Sequence, residues 1–427
     1  MNIKLRIRII QLAVLFLTGL LYRLLFIKAF PQPFVFDQVQ YQEYADSIKT
    51  YGLYAHSFRL YGYPLFLFLI EKFLGRGIFL GLYTWQIVQV LLDTITGLLV
   101  LGAARLLFKK LSIAVFSYVF YLINPFTSGY TGVMLPEVWA AFLFGLLYYL
   151  GIKFMLFGPT ISAIFIGILL GFIPQVRPAY FLFSFTTLLL ISIYIYKQFS
   201  KNISRICLVL LAISFIIPNI YTVWGNYRWF NQFSLMDVDN LSIENLYVSL
   251  FIERSIKIPS SIYEYPKEVQ WAYSEYSYRK DTLAKRKATQ DLFIQASIEE
   301  IKNNPLKFLI WRVEKMWYVW EKHYIFPYFN PQSPLLLAAT YWGNLIMLSL
   351  FAVGYFIWAK RVLVKNKVGK WLFFFIGYPI LFTMLANAFT STEERYSLPV
   401  YPLIILFSGL GLYLFVNRKK EENNKLI

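Results

Sequence analysis

Apolar residues in this chain run in continuous blocks, and the polar stretches between them are short and rich in Lys or Arg. The blocks fall near residues 9–27, 78–107, 112–128, 136–156, 160–175, 178–196, 203–221, 335–359, 371–389 and 397–416. Each is long enough, or nearly so, for a helix to cross a hydrocarbon core of ~30 Å. A crossing segment must satisfy its backbone hydrogen bonds internally, which a helix does and an open strand cannot. The pattern therefore predicts an all-α polytopic membrane protein with about ten transmembrane helices. It also predicts three regions: an N-terminal membrane module over 1–221 that includes a first outer loop at 28–77, an outer segment over 222–334, and C-terminal membrane helices over 335–427.

Composition agrees, since 58% of the 427 residues are hydrophobic, 20% are aromatic and only 15% are charged. A soluble surface could not be covered with that few polar groups. The formal net charge of +18 would suggest nucleic acid in a soluble chain, but the positives sit at block ends: Lys4, Arg6 and Arg8; Lys109 and Lys110; Lys197, Lys201 and Arg205; Lys360, Arg361, Lys365, Lys367 and Lys370; Arg418, Lys419 and Lys420. Such runs hold loops on the cytoplasmic side, so nucleic acid is not an expected partner and membrane lipids are. With both termini cytoplasmic, every run lands inside, which fits a multi-pass protein of a plasma (inner) membrane. The block at 9–27 is long and has no small-residue cleavage site after it, so it reads as a retained span. Cys207, the single cysteine, lies within a block, which excludes a disulfide framework inside one chain. No repeat at a fixed period is visible, whereas transporters built from inverted repeats usually show one.

That orientation puts the candidate chemistry on the outer face. Pro33 and Gly52 bracket a helix expected to lie along the membrane surface, with Asp37, Tyr41, Tyr44 and Ile48 on one stripe. Asp37 is aimed where aromatic rings could hold a sugar, and its plain alternative is an N-cap completed by Gln40. Pro136-Glu137 opens a span with a carboxylate, which is costly unless it is paired or lines a polar cavity. Its alternative is an acid favoured by the helix dipole. Arg177, in Pro174-Gln175-Val176-Arg177-Pro178, either leans into a cavity or snorkels to headgroups. Arg395, in Glu393-Glu394-Arg395-Tyr396, either pairs with its neighbouring acids or joins Arg177 on a phosphate, which guanidinium forks match.

The outer segment interleaves Tyr263, Tyr265, Trp271, Tyr273, Tyr276 and Tyr278 with charge, then carries Trp311, Arg312, Lys315, Trp317, Tyr318 and Trp320. The first group is suited to stacking on acceptor sugars and the second to an interfacial helix, while ordinary loop packing is the plain role for any single one of them. Asp237-Val238-Asp239 imitates a metal-chelating Asp-x-Asp, but no Gly-rich phosphate loop accompanies it, and it reads as a turn.

In order, these features resemble the GT-C superfamily of polyprenyl-phosphate-sugar glycosyltransferases, in the glycosyltransferase family 39-like group that includes protein O-mannosyltransferases and the lipid A aminoarabinose transferase. The matching pieces are Asp37, Tyr41 and Ala45; Arg59 with Tyr63-Pro64; Pro136-Glu137; Arg177-Pro178; Arg395-Tyr396 with Pro399 and Pro402; and the Ala296 to Phe308 stretch. The resemblance implies an inverting enzyme that moves a sugar from a polyprenyl-phosphate-linked donor to a hydroxyl of a lipid, glycan or protein acceptor at the outer face. It implies Asp37 as the catalytic base, Arg177 and Arg395 on the donor phosphate, and Glu137 supporting the acceptor or a metal. Tyr41, Tyr44, Tyr63 and Tyr396 are the candidates for touching sugar. Many relatives carry an Asp-Glu pair in the first loop where this chain has Asp37-Gln38, so a divalent metal ion stays open as a cofactor, with His56 and His323 the only histidines. A lipid or polysaccharide transporter, or a non-catalytic subunit of an envelope assembly machine, is the alternative from another class.

Overall fold

The computed structural model describes residues 3–52, 56, 59–158, 161–236, 242–252, 265–279, 283–328, 333–365, 367–390 and 392–417. Asp237, Asp239, Tyr263, Arg418, Lys419 and Lys420 lie outside the described residues, as do the side chains of Lys4, Arg6, Arg8, Tyr276 and Tyr278.

The N-terminal region runs α1 (Ile3–Ala29), α2 (Asp37–Tyr51), α3 (Gly62–Leu74), a two-residue antiparallel hairpin β1 (Ile78–Phe79) and β2 (Leu82–Tyr83), α4 (Thr84–Phe108), α5 (Leu111–Leu122), α6 (Pro125–Tyr130), α7 (Glu137–Phe157), α8 (Ser162–Val176), α9 (Phe181–Gln198) and α10 (Lys201–Phe230). The outer segment holds α11 (Ser242–Val248), α12 (Lys267–Arg279), α13 (Leu283–Asn303) and α14 (Pro305–Tyr318), and the chain ends with α15 (Pro334–Lys365), α16 (Lys367–Ala388) and α17 (Tyr401–Val416). Among the described residues, eight helices are long and apolar enough to cross a membrane, and Leu111–Leu122 and Ser162–Val176 are shorter apolar helices. The protein is a polytopic all-α membrane protein.

Several block boundaries differ from the sequence expectation, three of them for a plain local reason. The block at 78–107 begins as the hairpin, because Gly75, Gly77 and Gly81 punctuate it, and its helix starts only at Thr84. The block at 112–128 breaks at Asn124-Pro125, where the Asn124 side-chain oxygen accepts from the backbone N–H of Phe126 and of Thr127, both at 3.1 Å, and so caps a new short helix. The block at 203–221 continues through Tyr221 to Phe230, and the outer segment begins that much later.

The core is built where α4 packs against α5 and α7, α8 against α10, and α17 against α5 and α15. Close helix approach rests on small residues: a Cβ on Gly167 of α8 would stand 2.6 Å from the Leu211 carbonyl oxygen of α10. Two charges within the apolar blocks, unremarked in the sequence pattern, pair with each other. Arg23 of α1 and Asp93 of α4 are each 1% exposed, with Nε and Oδ2 2.5 Å apart, and the Tyr121 hydroxyl donates to the other Asp93 oxygen. An ionised group at membrane depth needs such a partner, so this pair fixes α1, otherwise mostly exposed along its length, onto α4 and α5.

Candidate functional site

The stretch between α1 and α3 sets the first acid. Phe36 takes a left-handed backbone conformation, φ 53°, and α2 starts at Asp37 with no side-chain cap hydrogen bond. The N-cap reading of Asp37 is therefore incorrect: its carboxylate faces two guanidinium groups instead. Arg59 Nη2 donates to Oδ1 at 2.8 Å, and Arg395 Nη2 donates to Oδ2 at 3.3 Å across 358 residues of sequence. Arg59 also donates to Gln40 Oε1 at 2.7 Å and lies over the Tyr41 ring at 4.7 Å, so its placement is fixed from three sides. Burial raises the Asp37 pKa, but the charges and hydrogen bonds of Arg395 and Arg59 outweigh it and hold the carboxyl below its ordinary range.

The second acid opens α7. Pro136 precedes Glu137, whose side chain is 2% exposed, and Arg177 Nη1 donates to its Oε1 at 3.1 Å. Its other oxygen, Oε2, is buried without a hydrogen-bond partner among the described residues. Arg177 stands where α8 ends: the Pro178 that follows disfavours helical backbone at residue 177, which is extended at φ −139° and ψ 99°. Gly62, at the start of α3, permits close approach to this corner, since a Cβ there would stand 2.6 Å from the Gln175 backbone.

The third stretch is the 3-10 turn Glu394–Val400 ahead of α17. Arg395 Nε lies 2.6 Å from its near neighbour Glu393 Oε2 and 3.8 Å from Glu137 Oε1, and with its Nη2 on Asp37 it joins the acids that open α2 and α7. The Tyr396 ring lies beneath both guanidinium groups, 5.2 Å from that of Arg177 and 5.7 Å from that of Arg395, and its hydroxyl donates to Glu393 at 3.0 Å. Glu394 turns the other way. It accepts from His323, whose Nδ1 is 2.9 Å from Oε1 and whose backbone N–H is 2.8 Å from Oε2. Lys322 donates to Ser397 Oγ at 2.8 Å and to the Glu394 carbonyl, which clamps the turn that carries Arg395. Burial pushes the Lys322 amine down to about 7, against the opposing pull of Glu394 and Glu321.

The structure thus brings Asp37, Glu137, Arg177 and Arg395 into one ion-pair network, and adds Arg59 and Glu393 to it. Arg59 stands out in the sequence only as part of the stretch that leads to Tyr63-Pro64, which assigns it no role in the site. Nothing local marks Lys322 or His323, which enter through tertiary packing alone. The aromatic candidates divide: Tyr41, Tyr44 and Tyr63 are 7%, 2% and 0% exposed and spend their surfaces on packing, whereas Tyr396 is only half-buried. Tyr63 donates to Gln89 Oε1 at 2.9 Å and meets Tyr41 edge-on at 5.0 Å.

In the outer segment, Trp271, Tyr247 and Phe293 form a small core of α11, α12 and α13, so Trp271 is not an open stacking platform. Tyr273 remains 36% exposed, and partial burial, then Tyr265, Glu244 and Glu393, push its hydroxyl up to about 12. The α14 cations point inward: Arg312 and Lys315 donate to the Ser249 carbonyl at 2.9 and 2.7 Å, while Leu306, Leu309, Ile310, Val313 and Trp317 form an exposed apolar face. Among the described residues no three His, Cys, Asp or Glu side chains gather as metal ligands. The Asp37 carboxylate and Oε1 of Glu137 are turned to guanidinium groups, an arrangement that does not fit a metal ion. Compared with models of protein families and with curated proteins, the chain matches none.

Proposed function

We propose that this chain is an inverting glycosyltransferase of the GT-C kind, moving a sugar from a polyprenyl-phosphate-linked donor to an acceptor hydroxyl at the outer face of a plasma membrane. The observation that carries the reading is the Asp37 carboxylate held between Arg59 and Arg395, at one end of a bundle of apolar helices.

The acceptor hydroxyl gives its proton to Asp37 as its oxygen attacks the anomeric carbon. The bond from that carbon to the phosphate oxygen breaks, the electron pair stays on the oxygen, and polyprenyl phosphate leaves. Arg395 and Arg177 receive the phosphate charge, which bidentate guanidinium contacts stabilise strongly in a desolvated site. The same arginine links the two tasks. Arg395 is one of the cations that hold the Asp37 pKa down, so when it turns to the phosphate, Asp37 regains basicity as the donor arrives. The unpartnered Glu137 Oε2 is placed to accept a hydrogen bond from a sugar or acceptor hydroxyl.

The test is transfer in vesicles that contain the purified chain and a pool of polyprenyl-phosphate sugars, with lipids and glycans compared by mass spectrometry. Asp37→Asn keeps shape and removes basicity, so transfer falls by roughly 10²–10⁴-fold while donor binding persists. Undiminished transfer by this variant rejects the assignment. Movement of donor between leaflets without any transfer identifies a transporter.

A further inference from the structure

Lys322 is 2% exposed, and every direction its amine takes leads to the turn that carries Arg395 or to the chain beside it. The amine donates to the Glu394 carbonyl and to Ser397 Oγ at 2.8 Å on the turn, and to the carbonyls of Val319 at 3.2 Å and Glu321 at 3.4 Å in its own segment. The Ser397 hydroxyl in turn donates to the Glu394 carbonyl at 3.1 Å. The turn is therefore gripped at Glu394 and at Ser397, and Arg395 lies between those two points. The segment that grips it is itself fixed, since Asn344 of α15 donates to the Trp320 carbonyl at 2.8 Å and accepts from the Tyr401 hydroxyl of α17 at 2.8 Å.

An ammonium has three donors and no lone pair, which suits a site made of oxygens. A neutral amine has two donors, and its lone pair would face one of those oxygens. The arrangement is thus shaped for the charged form while burial opposes the charge, and the two leave the amine at about 7. A tie that served packing alone would be made by a neutral amide, without the cost of burying a charge. The charged and titratable groups around the amine are Glu394 on the turn, Tyr401 of α17 with its ring at 5.1 Å, and Glu321 and His323 on either side in the chain, with the His323 ring against the Glu394 carboxylate. From α15 comes the neutral Asn344.

We propose that Lys322 is a positioning residue for Arg395: with its proton it holds the turn that aims this guanidinium at Asp37 and at the donor phosphate, and without the proton the aim is lost. The inference rests on the proposed transfer reaction, in which Arg395 receives that phosphate. Lys322 acts through the turn and not on the reacting atoms. Transfer then falls as pH rises through about 7.

The experiment uses the full chain in vesicles and reads the transfer rate and the affinity for polyprenyl phosphate, the leaving group, from roughly pH 6 to pH 8.5. The phosphate titrates in this range too, so each affinity is taken as a ratio between two chains at one pH. Wild type is expected to bind roughly tenfold more tightly than Lys322→Met at the acid end, the scale of one lost charged hydrogen bond, and the two converge at the alkaline end. Lys322→Arg keeps its charge throughout, so it matches wild type at the acid end and binds more tightly than wild type at the alkaline end. Either comparison suffices if the other variant does not fold. A lysine that is merely structural gives ratios that do not change with pH, and that result overturns the inference. So does a pH step that persists in Lys322→Met and disappears in His323→Gln, which makes the histidine the titrating group. Constant ratios while Asp37→Asn is still inactive reject the role of Lys322 alone, whereas undiminished transfer by Asp37→Asn rejects the reaction beneath it and takes this inference with it.

Discussion

Gln38 does at the first turn of α2 what a second acid could not. Its Nε2 donates to the Pro33 carbonyl at 2.8 Å, and its Oε1 accepts from the Met134 backbone N–H at 2.8 Å, so one amide ties the first loop to the segment ahead of α7. A carboxylate can accept but, when ionised, cannot donate. At 2% exposure, Gln38→Glu would leave the Pro33 carbonyl without its donor and bury a charge beside Asp37. The expected cost is about 1–3 kcal/mol or more, read as a lower unfolding temperature in detergent, with Gln38→Asn recovering little because it is too short. An unchanged unfolding temperature for Gln38→Glu would show that the bridge contributes nothing. Residue type therefore told part of the story: Asp37, Glu137, Arg177 and Arg395 stand out in sequence because each is a charge where charge is costly. Their pairing is another matter. Which acid meets which arginine is decided by side-chain directions set by Phe36, Pro178 and the 3-10 turn after Glu393, and no local pattern encodes those directions.

At the scale of elements, apolar blocks showed helices well and their ends poorly, since a span can kink at Asn124 or overrun its block to Phe230 without changing its composition. The outer segment was least legible. Its aromatic residues serve equally as a binding platform or a core, and only the contact of α11 with α12 and α13 shows that Trp271 and Tyr247 are core. That small core encloses Glu244, 7% exposed, whose carboxyl burial pushes up to about 7. The sign follows directly. Between pH 4.5 and 7 the folded segment keeps a proton that the unfolded chain releases, so its stability is fully present below pH 4.5 and is lost as pH rises through 7. The loss is about 3 kcal/mol at most, taken from the size of the shift. Glu244→Gln keeps a neutral side chain at every pH, so unfolding followed by tryptophan fluorescence becomes flat across this range, and at pH 8 the variant is the more stable. A wild-type profile as flat as that of the variant removes Glu244 as the cause.

The whole molecule has two chemically different ends. At one, Lys109 follows α4, Lys197 closes α9, Lys201 opens α10, Arg361 lies near the end of α15 and Lys367 opens α16. At the other, Glu137 opens α7, Arg177 follows α8 and Arg395 precedes α17, with acids and arginines balanced in one network. If the end richer in basic runs is the one retained on the cytoplasmic side, the network faces outward, as the proposed reaction requires. Topology can be read with one thiol, because Cys207, the single native cysteine, is buried and dispensable as a label. In a Cys207→Ser background, Thr50→Cys on α2, the helix that begins at Asp37, and Ser200→Cys between α9 and α10 are both exposed positions. A membrane-impermeant maleimide is expected to label residue 50 on intact cells and residue 200 only after the membrane is opened. The reverse pattern would put Asp37 in the cytosol. A polyprenyl-phosphate sugar in the outer leaflet could not then reach it, whatever the geometry of the arginines around it.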